Sequence, residues 1–295
     1  MNAHDLIAVD WGTTNRRAHA IVGGAVVASD VDARGVTAVP AGGFAAEVAA
    51  IRARFADRLP PDAPMLLAGM VGSTIGWQVA PYVPAPAGLA ALAEGLVRVA
   101  PHTAIVPGVA MVEGRADVMR GEEVQLLGAV AAGLAPADAL LVQPGTHCKW
   151  VTMAGRRIAR FTTTMTGELF ALLRQHSILA PQLAGAIVPG DAFLAGVAEA
   201  RDGDLAAQLF GIRAALLLGT REEADAPAYA SGLLIGADVA ARLRSGAPDD
   251  VHLIADPTLG ALYAAAIRAH GRAVHLVDSH AAFVAGITRL AEFVA

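Results

Sequence analysis

Two segments of the chain, 133 positions apart, share one pattern. Leu6–Thr13 reads Leu-Ile-Ala-Val-Asp-Trp-Gly-Thr, and Leu140–Thr146 reads Leu-Leu-Val-Gln-Pro-Gly-Thr. Each is a short apolar run, the length of a strand buried on both faces, that ends in a Gly-Thr turn. A second strand-like run follows each turn and carries basic residues: Arg16 and Arg17 in the first, Lys149 in the second. Each second run then meets a glycine turn, Gly23-Gly24 and Gly155. A chain that opens both halves with the same hairpin reads as a duplicated, two-lobed fold.

The rest of the pattern is α/β with mixed sheets. Phe44, Val48, Ile51, Phe55 and Leu59 recur at helical spacing before Pro60-Pro61. Further helices are expected over Leu89–Val99, Glu122–Leu134, Leu169–Leu179, Asp191–Arg201, Leu205–Leu218, Tyr229–Arg244, Leu259–His270 and Ala281–Val294. Strands are expected at Pro64–Met70, Thr103–Val109, Ala139–Gln143, Val251–Ala255 and Ala273–Asp278. At 295 residues one core nears its size limit, so the expected division is residues 1–136 and 137–295, hinged near Ala135–Ala139 and closing on ligand. The final helix is expected to cross back to the first lobe.

Composition narrows the function. A net charge of −5 argues against nucleic acid or an anionic membrane as partner. The single cysteine, Cys148, excludes an internal disulfide framework, and no apolar run reaches the length of a spanning helix. The start lacks a basic region followed by a long apolar stretch, so a cytoplasmic location is expected. Lys149 is the only lysine beside 21 arginines. The alternative to a functional role for it is a chance surface charge.

A Gly-Thr turn between strands presents backbone N–H groups and hydroxyls without crowding, which suits phosphate. Asp10 ends its strand where a carboxylate can hold hydrated Mg²⁺. Two such turns facing each other would clamp a nucleotide; the alternative is two ordinary hairpins. Other nucleotide and hydrolase signatures are missing: there is no GxxxxGK[ST], no GxGxxG after a strand, and Ser73 misses a GxSxG by one position.

Asp10-Trp11-Gly12-Thr13-Thr14-Asn15 resembles the first phosphate motif of the actin-like, Hsp70-like and sugar-kinase superfamily. A wider set resembles one family within it, 2-dehydro-3-deoxygalactonokinase. That set includes Ala68-Gly69-Met70-Val71-Gly72-Ser73, Gly76-Trp77, Ala80-Pro81-Tyr82, Pro86-Ala87-Gly88 and Asp117-Val118-Met119-Arg120-Gly121-Glu122-Glu123. It continues through Pro144-Gly145-Thr146-His147-Cys148-Lys149-Trp150, Met165-Thr166-Gly167-Glu168, His176-Ser177 and Ser231–Ala237. The resemblance implies a two-lobed actin-like ATPase (ribonuclease H-like) fold with duplicated mixed sheets and flanking helices. It implies ATP and Mg²⁺ as cofactors and phosphorylation of the 6-hydroxyl of 2-dehydro-3-deoxy-D-galactonate. The expected partners are that sugar acid and, as an option, a second copy in a homodimer. Rival readings are another small-molecule kinase of the superfamily and a non-catalytic nucleotide-dependent switch.

On this reading Gly12, Thr13, Thr14, Gly145 and Thr146 form the phosphate clamp, and Asp10 holds Mg²⁺ through water. Lys149 and Arg17 stand where a cation could meet phosphate or substrate oxygens. Glu122 is the favoured base over Glu123, with Asp117 third; a carboxylate at a helix start also complements the helix dipole. Ser73, Thr74, Trp77 and Tyr82 would line the substrate pocket, or pack their loop. Gly232 and Gly236 would admit adenosine, or pack helices. Glu168 caps its helix or touches ligand. Two departures stand out: Gln143 occupies a place where relatives usually have Asp, and Ile254-Ala255-Asp256-Pro257 replaces a glycine-rich turn.

Overall fold

The computed structural model describes residues 5–243 and 248–293. Arg244 and Val294, to which two expected helices extend, lie outside the described residues. In chain order the elements are β1 (Leu6–Trp11), β2 (Arg16–Val22), β3 (Ala25–Asp32), α1 (Phe44–Arg54), β4 (Met65–Gly69), β5 (Val83–Pro84), α2 (Leu89–Glu94), β6 (Val97–Ala100), β7 (Thr103–Ile105), β8 (Val109–Met111), β9 (Asp117–Met119) and α3 (Glu122–Ala131). They continue as β10 (Ala139–Gln143), β11 (Cys148–Ala154), β12 (Arg157–Thr164), α4 (Thr166–His176), α5 (Asp191–Glu199), α6 (Leu205–Leu217), α7 (Ala226–Arg242), β13 (Asp250–Ile254), α8 (Pro257–Ala269), β14 (Ala273–Val277) and α9 (Ser279–Ala291).

The chain divides into two compact units. The first takes Met1–Asp138, Thr152–Phe161 and Asp278–Ala295; the second takes Ala139–Val151 and Thr162–Val277. The two main sheets repeat one strand order: β3-β2-β1-β4-β7, extended by β6, and β12-β11-β10-β13-β14. In both, the first apolar strand pairs in parallel with a later one, β1 with β4 and β10 with β13. A parallel pair needs a long crossover, and the intervening helices supply it.

In the first unit Ile7, Val9 and Trp11 of β1 pack on Phe44, Val48 and Ile51 of α1, the helical spacing read from sequence. Arg16 is almost fully enclosed and is satisfied by Asp32 and Glu47. Helix α9 lies against α3, where Gly128 and Gly286 leave no room for a Cβ beside Ala282 and Val124 carbonyls. In the second unit Leu140, Val142 and Trp150 join Val239, Leu253 and Tyr263.

Two elements differ from expectation. The helix expected over Leu89–Val99 stops at Glu94, because Gly95 caps it and the Val97–Ala100 stretch pairs antiparallel with β7. The strand expected over Thr103–Val109 breaks at Pro107-Gly108, and Val109–Met111 joins a separate three-stranded sheet with β5 and β9. No helix among the described residues is long and apolar enough to cross a membrane.

Candidate active site

The first turn is held from behind through its carbonyls. Gly12 N–H donates to Asn15 O at 2.9 Å and closes the turn. Gly35 N–H donates to Thr14 O, Val36 N–H to Gly12 O, and Thr37 to Thr13 O through both its N–H and its hydroxyl. A Cβ on Gly35 would overlap the Thr13 carbonyl, so this close approach needs glycine. Thr13 and Thr14 themselves are exposed.

The second turn has the same support from another element. Glu168 N–H donates to Thr146 O at 2.9 Å, and Gly167 presses on Gly145 so closely that a Cβ would overlap its carbonyl oxygen. His147 and Glu168 meet at 2.6 Å, so the Glu168 carboxylate grips the turn it backs. Lys149 is 4% exposed, which removes the surface-charge alternative.

Asp10 and the start of α3 come together through backbone contacts. Gly69 ends β4 at φ 94°, and a Cβ there would stand 2.7 Å from Trp11 O. Gly121 sits at φ 106°, and a Cβ there would stand 3.1 Å from the Gly69 Cα. Both positions lie in the left-handed region that side chains disfavour. The stack of Trp11, Gly69 and Gly121 carries Glu122 into the electrostatic range of Asp10. Burial raises the Asp10 carboxyl above its ordinary value, Arg17 at 3.4 Å lowers it, and the Glu122 charge raises it again.

The two adjacent glutamates have different surroundings. Glu122 is half-buried and accepts the Arg120 N–H at 3.1 Å. Glu123 is fully enclosed, and both its oxygens accept the Gly121 N–H, at 2.9 and 2.7 Å. Burial, reinforced by the Glu122 charge, pushes the Glu123 carboxyl up to about 8. Asp117 begins β9, where its carboxylate accepts the Val118 N–H.

The substrate-loop candidates divide. Ser73 is used locally: its hydroxyl donates to Met70 O and accepts from Ile75 N–H. Trp77 lies parallel to Phe44 with ring centres 6.2 Å apart, packed on the first core, which is the loop-packing alternative. Thr74 is exposed, and Tyr82, 41% exposed, stacks on Arg120 at 4.3 Å. Gly232 and Gly236 do not face open space. Helix α5 fills it, with Phe193 O against Gly232 and Val197 Cα 2.7 Å from a Cβ on Gly236. These contacts are those of the helix-packing alternative for both glycines. Asp256 caps α8 through the Thr258 and Leu259 N–H groups, so residues 254–257 form an Asp-Pro helix start.

Arg120 has no role in the sequence reading. Its guanidinium donates to Ala80 O at 2.7 Å and stacks on Tyr82, while its N–H reaches Glu122. It ties the 72–82 loop to the start of α3. Its motif neighbours draw attention to it, but its partners 40 positions away leave no local signal.

Comparison with known proteins then decides the lineage. The model of the 2-keto-3-deoxy-galactonokinase family matches residues 10–290. The chain belongs to that family. It is 40% identical over 292 residues to the 2-dehydro-3-deoxygalactonokinase of Escherichia coli K12, covering 98% of each chain. A crystal structure of a Sinorhizobium meliloti protein given the same assignment superposes with a TM-score of 0.91 at 38% identity, covering 97% of this chain and 98% of that one. The ADPNP-bound activator of the 2-hydroxyisocaproyl-CoA dehydratase from Clostridium difficile superposes with a TM-score of 0.51 at 10% identity, over 97% and 94% of the two chains, and shares the fold alone. As a family member the chain is a kinase, built on two sheets of repeated strand order, and both of its turns lie within the matched span.

Proposed function

We propose that this chain transfers the γ-phosphoryl group of ATP to the 6-hydroxyl of 2-dehydro-3-deoxy-D-galactonate. The observation that carries the reading is the family match across residues 10–290, which spans Asp10, both Gly-Thr turns, Glu122 and Lys149. In the reaction the 6-oxygen attacks the γ-phosphorus, the bond to the β,γ-bridging oxygen breaks, and ADP leaves with that electron pair.

Each side chain has a part suited to its surroundings. Glu122 accepts the hydroxyl proton; it is the glutamate of the pair with exposed surface, and a base must touch its proton's donor. Glu123, enclosed and engaged with Gly121, braces the helix start. The turns at 12–15 and 144–147 take up phosphate oxygens. Lys149 neutralises charge on the transferring group, with the substrate carboxylate as its other candidate partner. Tyr82 and Thr74 line the sugar-acid pocket, whereas Ser73 and Trp77 shape the loop.

Mg²⁺ fits the donor set. Among the described residues no group of three or more His, Cys, Asp or Glu side chains could hold a metal. A lone carboxylate with water and phosphate suits Mg²⁺, which keeps much of its hydration. Asp10 would hold it, and the ion would offset charge on the phosphates. Burial first, and then the Glu122 charge, disfavour a bare Asp10 carboxylate, which a cation relieves.

ADP release measured with ATP and a panel of 2-keto-3-deoxy acids tests the assignment. Turnover that depends on the galactonate derivative is expected. Slow hydrolysis indifferent to every acid would return the chain to the nucleotide-switch reading.

A further inference from the structure

A buried carboxylate in the second unit stands apart from the groups assigned to phosphoryl transfer. Asp238, on α7, is 7% exposed and stands among apolar neighbours. One of its oxygens, Oδ2, accepts from Trp150 Nε1 at 3.1 Å, Thr164 Oγ1 at 2.9 Å, Thr166 Oγ1 at 3.1 Å and Tyr263 OH at 3.3 Å. The other oxygen, Oδ1, is buried without a hydrogen-bond partner. Such an orphan costs about 1–3 kcal/mol, and an apolar group of like shape is often as stable as a buried charge. Packing alone does not account for a carboxylate here.

Its partners explain the choice. Trp150 belongs to β11, the strand that leaves the second Gly-Thr turn. Thr164 ends β12, and Thr166 opens α4, the helix whose next two residues hold that turn from behind. Gly167 presses on Gly145, and Glu168 N–H donates to Thr146 O. One oxygen atom therefore gathers the strand on one side of the turn and the helix on the other. The Cys148 thiol, at the foot of the same strand, joins the cluster with Tyr263.

We infer that Asp238 is a positioning residue for the second phosphate turn, fixing residues 144–147 from beneath through Trp150, Thr164 and Thr166. The inference rests on the kinase reading for its link to ATP, though the geometry stands without it. A short hydroxyl-bearing side chain at 164 and 166 can reach Oδ2, whereas an alanine or valine cannot. A carboxylate suits this hub because it only accepts, so it meets indole, hydroxyl and phenol donors from several directions at once. An amide would bring two N–H groups into a site already crowded with donors.

Four variants carry the test: Asp238→Asn, Thr166→Val, Thr166→Ser and Thr164→Val. Kinetics with ATP and 2-dehydro-3-deoxy-D-galactonate give both KM values and kcat. Amide hydrogen exchange over residues 144–148 gives the rigidity of the turn without reference to turnover. Thr166→Val is expected to raise KM for ATP about tenfold, the effect of one lost hydrogen bond to a charged group, while KM for the sugar acid stays within about twofold. Exchange over 144–148 should speed up in the same variant, and Thr166→Ser should restore both readings. Asp238→Asn should exceed Thr166→Val in each, and if it does not fold the threonine variants decide the matter. Wild-type exchange at 144–148 in Thr166→Val and Thr164→Val, with unchanged KM for ATP, overturns the inference. A wild-type protein that fails to phosphorylate the sugar acid overturns the kinase reading alone; the exchange data still judge Asp238.

Discussion

Glu123 gives the most quantitative expectation. Its carboxyl takes up a proton near pH 8 in the folded chain, against an ordinary value of 4.5. Between those limits the folded state holds one proton more than the unfolded state. Stability therefore falls as pH rises, by about 1.4 kcal/mol per pH unit. The contribution is fully present below pH 4.5 and lost as pH passes 8, at most about 5 kcal/mol in all. Glu123→Gln removes that titration and keeps a carbonyl for the Gly121 N–H. Groups remote from position 123 titrate alike in both proteins, so the difference between them isolates the Glu123 carboxyl together with its coupling to Glu122. At about 2 °C per kcal/mol for a chain of this size, the variant should melt up to about 10 °C above wild type at pH 9. At pH 5 the two should melt within about 2 °C of each other. Differential scanning fluorimetry across pH 5–9 reads this directly. A melting difference that stays constant over the whole range would refute a proton held by Glu123. Activity supplies a second check: both oxygens face Gly121, so Glu123→Gln should retain turnover.

Glu122→Gln should lower kcat by ~10²–10⁴-fold while ADP affinity, followed by calorimetry, stays near wild type. If Glu123→Gln is the inactive variant instead, the two roles are exchanged. Lys149→Met should cut kcat by ~10²-fold or more, with folding verified by circular dichroism. A raised KM for the sugar acid at unchanged kcat would move Lys149 to the substrate carboxylate. Gly167→Ala forces a Cβ onto the Gly145 carbonyl, so it should weaken ATP binding more than sugar-acid binding. Gly232→Ala meets Phe193 O on α5 and should cost about 1–3 kcal/mol in urea unfolding with little change in KM for ATP.

Which glutamate is buried is partly legible in the sequence. Residues three and four apart share a helix face, and Glu123 stands in line with Leu127 and Val130. Glu122 stands in line with Gln125, and that pair is the less buried edge of α3. The polar residue at 125 marks the wet side. The duplicated hairpins were legible for a similar reason, since strand, turn and strand are adjacent in sequence and the Gly-Thr step punctuates them. The sequence misleads where a local pattern is ambiguous. Leu89–Val99 has apolar residues at helical spacing, yet Gly95 ends the helix and β-branched Val97 and Val99 suit a strand. The glycines of α7 look alike whether they admit a ligand or a helix, and only the position of α5 separates the two.

What holds the two turns was not legible, because the supporting residues come from unlike places. Behind the first turn stand Gly35, Val36 and Thr37, from the end of an edge strand and a short 3₁₀ turn. Behind the second stand Gly167 and Glu168, from the first turn of α4. The carbonyls face the support in both cases, and in both cases a glycine sits where a Cβ would overlap a turn carbonyl. The elements differ, so no sequence repeat links Gly35 with Gly167. The requirement is common to both: a loop that meets phosphate with its backbone must be fixed by that backbone's other polar groups, or ordering it on binding would consume affinity. The second turn carries one further layer. Gly167 and Glu168 themselves begin a helix, whose start is fixed by Thr166 on Asp238. An edge strand is anchored by its ladder, and Arg16 paired with β1 and bonded to Asp32 performs that service at the first turn. A helix start has no ladder, which is the physical reason a buried carboxylate stands under the second turn.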